Sequence, residues 1–405
     1  MVTTTPVNRG AVGALVAAEL ISVLGTRMTY LALPWFVLVT TGSAAKMSVV
    51  LAVQILPMAL LGVPSGAAVQ RFGSRTTMLA SDFARAPLIM SLPVLHAAGV
   101  LSFGLLLALV AAIGAFMPPY SASQRVILPE LVGEDVTTMS QANSLIEGGG
   151  AAAALIGPGL AGILIPFLGA PNVLYIDAAT YLAAFLLVLV FVPRPKPLGE
   201  RAPNGLLDGA RYVLRDPFIG ALVATIVAFG FFSSALSAAL PAHAYLDFGS
   251  PKVAGLFYSA LGAGALLGTI LAVGVIKRVQ PLRLAAGAIL GVSLPLWLLG
   301  MDLPAWAFTA ALFAATFFTP FVNGPIMGVL TSRMRPEIRP KAMTAIIAIN
   351  TIAAPLGFLL AGQVIDEVGT SVVFYTVAGG FTAASLAFVS IVMRQLREPV
   401  PVMEV

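Results

Sequence analysis

Three ionisable residues lie inside long apolar runs of this chain: Glu19 and Arg27 in the first run, Glu147 in the fifth. A charge at mid-membrane depth costs about 2.5–3.5 kcal/mol on insertion scales, so each such residue is a functional hypothesis by default. Carboxylates in that setting suit the uptake and release of a proton, and two that lie close can share one. Glu147, with Glu19 as the second candidate, is therefore expected to carry a coupling proton. Glu19 and Arg27 are eight residues apart, about 12 Å along a helix and about 80° around it, so they cannot pair closely on one regular helix. Each needs water or a partner on another segment. Arg27, the deeper of the two, is placed to bind a substrate oxygen or to favour proton release. A structural polar pair between helices is the alternative reading.

Other side chains fall into weaker groups. Asp82 and Arg85, three apart, can pair on one helix face, with Arg71 able to join; a gate network is expected there, or interfacial anchoring. Asp177 reads as structural. Trp35, Phe36, Phe231, Phe318, Asn323 and Asn350 are candidate walls of an apolar cavity with few polar anchors, a setting that suits bulky amphiphilic ligands. His96 and His243 are isolated, so no metal site is expected, nor any cofactor. The chain has no cysteine, which removes disulfides and thiol chemistry.

The elements that must position these residues follow from composition. Of 405 residues, 59% are apolar and only 10% charged, with mean hydropathy +0.98. So few charges cannot coat soluble domains of this size, and so apolar a chain is not disordered. A membrane-crossing helix needs roughly 20 mostly apolar residues. Such segments fall near 11–40, 47–69, 76–96, 99–118, 139–166, 172–193, 218–242, 253–276, 283–301, 303–330, 342–365 and 371–393. The first is read as a retained span rather than a cleaved signal. With the N-terminus inside, 18 of the 22 basic residues fall on the cytoplasmic face and only Lys46 and Lys252 outside. That asymmetry is the positive-inside pattern, and it expects both termini to be cytoplasmic. The net charge of +5 is thus a topology signal rather than a nucleic-acid footprint.

The longest polar interruption, 194–216, divides the chain into bundles 1–193 and 218–405 joined by a linker, 194–217, in which 205–215 suits an amphipathic surface helix. The halves share a pattern. Ala161-Gly162, Gly169 and Val173-Leu174-Tyr175 recur 200 residues later as Ala361-Gly362, Gly369 and Val373-Phe374-Tyr375. A parallel repeat of six spans predicts an all-α membrane fold of two pseudo-symmetric six-helix bundles around a central site.

Two motifs carry a family resemblance. After span two, Gly66, Gln70, Arg71, Gly73 and Arg75 resemble the signature loop of the major facilitator superfamily, with Gln70 where an Asp is usual. The resemblance implies a conformational latch whose charge-based part is altered. In span five, Gly149, Ala153, Gly157, Pro158, Ala161 and Gly162 resemble the antiporter motif of its drug/proton exporters. Small residues four apart let helices approach closely, and Pro158 can bend the helix. With Pro129-Glu130-Leu131-Val132, Ala142-Asn143-Ser144-Leu145 and Tyr175-Ile176-Asp177-Ala178-Ala179, the chain is similar to the bacterial macrolide-, tetracycline- and siderophore-exporting branch. That resemblance implies proton-coupled efflux of small amphiphilic drugs, with antibiotic resistance as its consequence, by a monomer in the bacterial cytoplasmic membrane. Span four lacks the Arg of many proton antiporters, so a relay of that design is absent. A dedicated siderophore or lipid-like metabolite exporter, a proton-coupled importer and a non-transporting receptor are the alternatives. An enzyme is not expected: the chain has neither a phosphate-binding Gly-rich Lys-Ser/Thr loop nor a His-Glu-x-x-His motif.

Overall fold

The computed structural model describes residues 9–132, 136–194, 206–335 and 338–397. Among them are fifteen α-helices and one 3₁₀ turn. In chain order the helices are α1 (Arg9–Thr41), α2 (Ala44–Phe72), α3 (Ser74–Ala97), α4 (Phe103–Ala115), α5 (Met117–Val132), α6 (Val136–Leu168), α7 (Ala170–Phe191), α8 (Leu206–Arg215), α9 (Pro217–Leu246), α10 (Pro251–Ile276), α11 (Pro281–Ser293), α12 (Ala305–Phe317), α13 (Thr319–Arg333), α14 (Arg339–Val368) and α15 (Thr370–Arg397); the 3₁₀ turn, Leu294–Gly300, follows α11. Among the described residues twelve segments are long and apolar enough to cross a membrane, and they coincide with the twelve spans read from the sequence to within a few residues, apart from the earlier end of the second, at Gly62, and the later end of the fourth, at Val132.

Three spans are not single α-helices. The fourth (α4 and α5) breaks at Phe116, the tenth (α12 and α13) at Phe318, and the ninth tightens into the 3₁₀ turn. Pro118, Pro119 and Pro320 follow the first two breaks. A proline has no N–H for the i−4 carbonyl, so the helix ladder lapses one turn back.

Contacts group the chain into two compact units: Met1–Ala202 with Leu240–Ser259, and Pro203–Ala239 with Ala260–Val405. The first unit thus takes in residues 240–259, which the sequence division places in the second half. Inside it α1 runs along α6 and α7, and α3 packs against α5 and α7. Leu15, Met78, Ile127 and Val188 are among its fully buried core residues. Inside the second unit α11 packs against α13 and α15, over a core containing Leu222, Ile289, Leu330 and Phe388.

The 200-residue repeat has a structural counterpart. Gly169 (φ +84°) joins α6 to α7 and Gly369 (φ +90°) joins α14 to α15, each with no other residue between the helices. Val173, Leu174, Val373 and Phe374 are buried, while Tyr175 and Tyr375 are exposed. The amphipathic helix expected at 205–215 is α8. It docks on α14 through Gly209, which lies against the Lys341 carbonyl, and through an Asp208–Lys341 ion pair of 3.5 Å. Most of the linker, 195–205, lies outside the described residues.

Candidate functional site

The first unit encloses a polar cluster built by four helices. α3 contributes Asp82 and Arg85, whose side chains are 0% and 1% exposed and pair at 2.5 Å. The Arg85 guanidinium lies 4.3 Å from the ring centre of Tyr120 on α5 and 4.3 Å from that of Tyr181 on α7. Its remaining contacts are the Ser81 carbonyl at 3.4 Å and the Met117 sulfur at 3.2 Å. A delocalised planar cation suits this slot better than an ammonium, because both of its faces can stack on aromatic rings.

Two more carboxylates flank that pair. Glu19 of α1 is 1% exposed and accepts a hydrogen bond from Gln124 Nε2 at 2.8 Å. The Tyr120 hydroxyl lies beside it, and Asp82 and Arg85 are the charges that act on it. Asp177 of α7 is fully buried and accepts from Thr29 Oγ1 at 2.6 Å; Thr180 Oγ1 is 3.2 Å away. Thr26 and the Tyr181 hydroxyl, 3.0 Å apart, extend the network. Gly25 lets α7 come this close: a Cβ there would meet Thr180 Oγ1 and lie 2.6 Å from Asp177 Oδ1.

The structure therefore rearranges the residues singled out from the sequence. Glu19 is in the cluster. Glu147 is exposed on α6, with no hydrogen bond or ion pair to a described residue. Arg27 is half-buried and lies 5.4 Å from the Tyr30 ring centre. Asp82 and Arg85 do pair, but in the bundle interior and not in the loop, and Arg71 does not join them; it is exposed and stacks on Phe72. Tyr120, Gln124 and Tyr181 had no signal in the sequence, being uncharged residues whose role comes from their neighbours.

The loop after α2 ties helices together. Gly66 and Gly73 are half-buried and Gln70 is exposed. Arg75 donates from Nε to the Val192 carbonyl at 2.6 Å and from Nη2 to the Leu189 carbonyl at 2.8 Å. Those carbonyls lie at the α7 C-terminus, where a cation is favoured. Ser74 hydrogen-bonds Glu130 of α5.

The small-residue face of α6 is packed along its length. Gly149 lies under Leu20. A Cβ on Gly157 would come within 2.6 Å of Arg27 Cβ, and one on Gly162 within 2.7 Å of the Pro251 carbonyl. The Pro158 carbonyl is 2.7 Å from the corresponding point on Gly255. Backbone cannot yield as a flexible side chain can, so Gly162 is less replaceable than Gly149.

The second unit holds a cavity of about 340 Å³. Asn323 and Asn350 line it with Thr225, Ser233, Ser237, Thr316 and Thr319; Phe229, Phe381 and several aliphatic side chains complete the wall. Asn350 Oδ1 is buried without a hydrogen bond, next to Gly230. The other four candidate wall residues are not part of this lining. Phe231 meets Phe232, and Phe318 meets Phe317 and Phe321. Trp35 and Phe36 are buried in the first unit, edge-on to Tyr245 and His96.

A twelve-span chain with an internal repeat and a charged cluster inside its helices defines a polytopic membrane transporter. The Major Facilitator Superfamily model matches residues 15–338 and 226–402, and the chain belongs to that family. It is 29% identical to the multidrug efflux pump Tap of Mycolicibacterium fortuitum, over 97% of this chain and 98% of that protein. It is 26% identical to the multidrug efflux pump Tap of Mycobacterium tuberculosis (strain ATCC 25618 / H37Rv), over 96% and 95%. Among solved structures, the nucleoside transporter NupG matches with TM-score 0.78 at 14% identity, covering 96% of this chain and all of that one. A bacterial homologue of the human lysosomal transporter Spinster matches with TM-score 0.69 at 13% identity, covering 97% and 95%. The structural likenesses concern the fold. The family is one of transporters, not of enzymes.

Proposed function

We propose that this transporter exports small amphiphilic molecules, antibiotics among them, by proton antiport through alternating access. It acts as a monomer in the bacterial cytoplasmic (inner) membrane, with both termini on the cytoplasmic side and with 1–193 and 218–405 as its two bundles. The observation that carries this reading is the burial of Glu19, Asp82 and Asp177 around the single cation Arg85. Buried ions without full compensation cost several kcal/mol each, which makes such a cluster a poor device for stability alone. Groups whose charge changes during a cycle give it a use. Glu19 is the first candidate for the coupling carboxylate and exposed Glu147 the second. Arg85 on α3 supplies the buried arginine that span four lacks.

The cavity of the second unit supports the substrate side of the proposal. Its volume is at the low end for ligand pockets, and its lining offers neutral amides and hydroxyls on an apolar wall with no charged side chain. It suits an uncharged part of an amphiphile. The efflux-pump relatives favour export over import. A drug-accumulation panel in cells, with and without an uncoupler, tests the reading. Wild-type protein is expected to lower accumulation only while the proton gradient lasts. Glu19→Gln cells should accumulate drug like cells without the transporter, and Glu147→Gln cells should show a partial loss. Uncoupler-resistant efflux by wild type would overturn the proton coupling.

A further inference from the structure

Arg27 takes no part in the cluster around Arg85. Gly25, Thr26 and Thr29 turn toward α7, where they meet Thr180, Tyr181 and Asp177. Arg27 is two residues past Gly25, about 160° from it around the helix. Its stem leans on α6 instead: a Cβ on Gly157 would come within 2.6 Å of Arg27 Cβ. The deep carboxylates of this unit are committed elsewhere, Asp82 to Arg85, Asp177 to Thr29 and Glu19 to Gln124. Among the described residues Arg27 has no ion pair and no hydrogen bond, and its guanidinium carbon lies 5.4 Å from the centre of the Tyr30 ring. The Tyr30 hydroxyl likewise has no hydrogen bond to a described residue.

Depth makes that isolation informative. α1 has 33 residues, and Arg27 is two past its midpoint, Gly25. In a helix centred on a hydrocarbon layer about 30 Å thick, the Arg27 Cα lies about 12 Å from the nearer surface. Snorkelling to the headgroups serves arginines near helix ends and not one at this depth. A guanidinium does not lose its proton in a protein, so the charge persists. A full positive charge at mid-membrane faces a water-filled space or an anion. Arg27 is half-buried rather than sealed, so a ligand has access to it.

We infer that Arg27, with Tyr30 beside it, is a subsite for a planar, singly charged oxyanion (a carboxylate or an enolate) on the transported amphiphile. The inference rests on the export reading and adds a substrate class to it. The guanidinium fork matches two oxygens of one delocalised anion, and a single charge balances a single charge. Tyr30, three residues on, is a neighbour on the helix surface, and its hydroxyl supplies a further donor. A dianion such as a phosphate monoester would bring a second charge that nothing beside Arg27 compensates. Gly157 is a positioning residue: without a side chain it lets α6 pass against the Arg27 stem and so sets where the fork begins.

Equilibrium binding to the full chain in lipid nanodiscs, with empty nanodiscs as the blank, tests the subsite. The probes are dansyl-leucine and its methyl ester, a fluorescent pair that differs in the carboxylate alone. Wild type is expected to bind the acid about 10- to 100-fold more tightly than the ester, the worth of hydrogen bonds to a charged group. Arg27→Gln should remove that preference and leave the ester affinity unchanged. Arg27→Lys keeps the charge but loses the fork, and should keep only part of the preference. Gly157→Ala should weaken acid binding several-fold and spare the ester, a split that a purely packing role does not produce. The Tm of Arg27→Gln should equal or exceed that of wild type, because an uncompensated charge has been removed. A preference retained in Arg27→Gln overturns the inference, and so does a Tm well below wild type, the mark of a structural arginine. An acid that binds wild type no better than its ester, or not at all, overturns it too. Displacement of the acid by physiological chloride would mark an inorganic-anion site and overturn the substrate class. If the variants fail to fold, the wild-type comparison of acid with ester and the chloride competition still decide. Acid-selective binding together with inward transport of the acid in cells would sink the export reading and leave the subsite intact. Drug export without acid-selective binding would do the reverse.

Discussion

Arg85 and Gly25 show how much of the site depends on single residues. Half of the Arg85 arrangement was legible in the sequence, since a pair three apart on a helix is a local property. The rest was not. Glu19 and Gln124 are 105 positions apart, and Thr29 and Asp177 are 148 apart. Helical periodicity gives the face of one helix but not which face of another it meets. The sequence also favoured Glu147 over Glu19, because both are acids in apolar runs and only packing separates the exposed one from the buried one. Gly25 was legible only as a small residue. Its role is to leave room for Thr180 and Asp177. Gly25→Ala is therefore expected to push Thr180 off its position on a stiff, β-branched side chain and to destabilise the first unit by about 1–3 kcal/mol, as overpacking does. Thermal unfolding of the purified protein should show a lowered Tm for Gly25→Ala. Gly13→Ala on the same helix, where a Cβ meets nothing within 4 Å, should leave Tm unchanged or slightly raised.

At the scale of elements, the repeat was the most informative part of the sequence because glycine at a helix junction is a backbone requirement. Gly169 has φ +84° with ψ 147° and Gly369 has φ +90° with ψ 173°, a region open essentially to glycine alone. Neither has a tight neighbour where a Cβ would go; the nearest atom is 3.8 Å away at Gly169 and none lies within 4 Å at Gly369. Alanine at either position thus tests backbone strain without a packing clash. Gly169→Ala and Gly369→Ala are each expected to cost about 1–3 kcal/mol, by similar amounts, and the double variant should show their sum, since independent sites add. Very unequal costs in unfolding measurements would mean the two junctions are not equivalent. The breaks at Phe116 and Phe318 were not read from the sequence. Prolines inside membrane helices often bend the chain without ending a helix, so their presence alone did not mark these breaks.

At the scale of the whole molecule, composition and basic-residue asymmetry were enough to give twelve spans, because a membrane forces each crossing to be long, apolar and helical. Sidedness rests on the charges alone, and it can be measured directly. The chain has no cysteine, so any single cysteine introduced is the only thiol present. Lys46, Lys252, Arg71 and Ser332 are all exposed. The positive-inside pattern puts the first two on the outer face and the last two on the cytoplasmic face. A membrane-impermeant maleimide added to intact cells should therefore label Lys46→Cys and Lys252→Cys and leave Arg71→Cys and Ser332→Cys unlabelled until the membrane is opened. Lys46 and Lys252 are the only two basic residues assigned outside, so replacing both leaves the asymmetry intact and the pattern unchanged. Labelling of Arg71→Cys from outside would invert the topology of the first half. Labelling of Ser332→Cys alone would show an odd number of crossings between the two positions, and the parallel repeat could not stand.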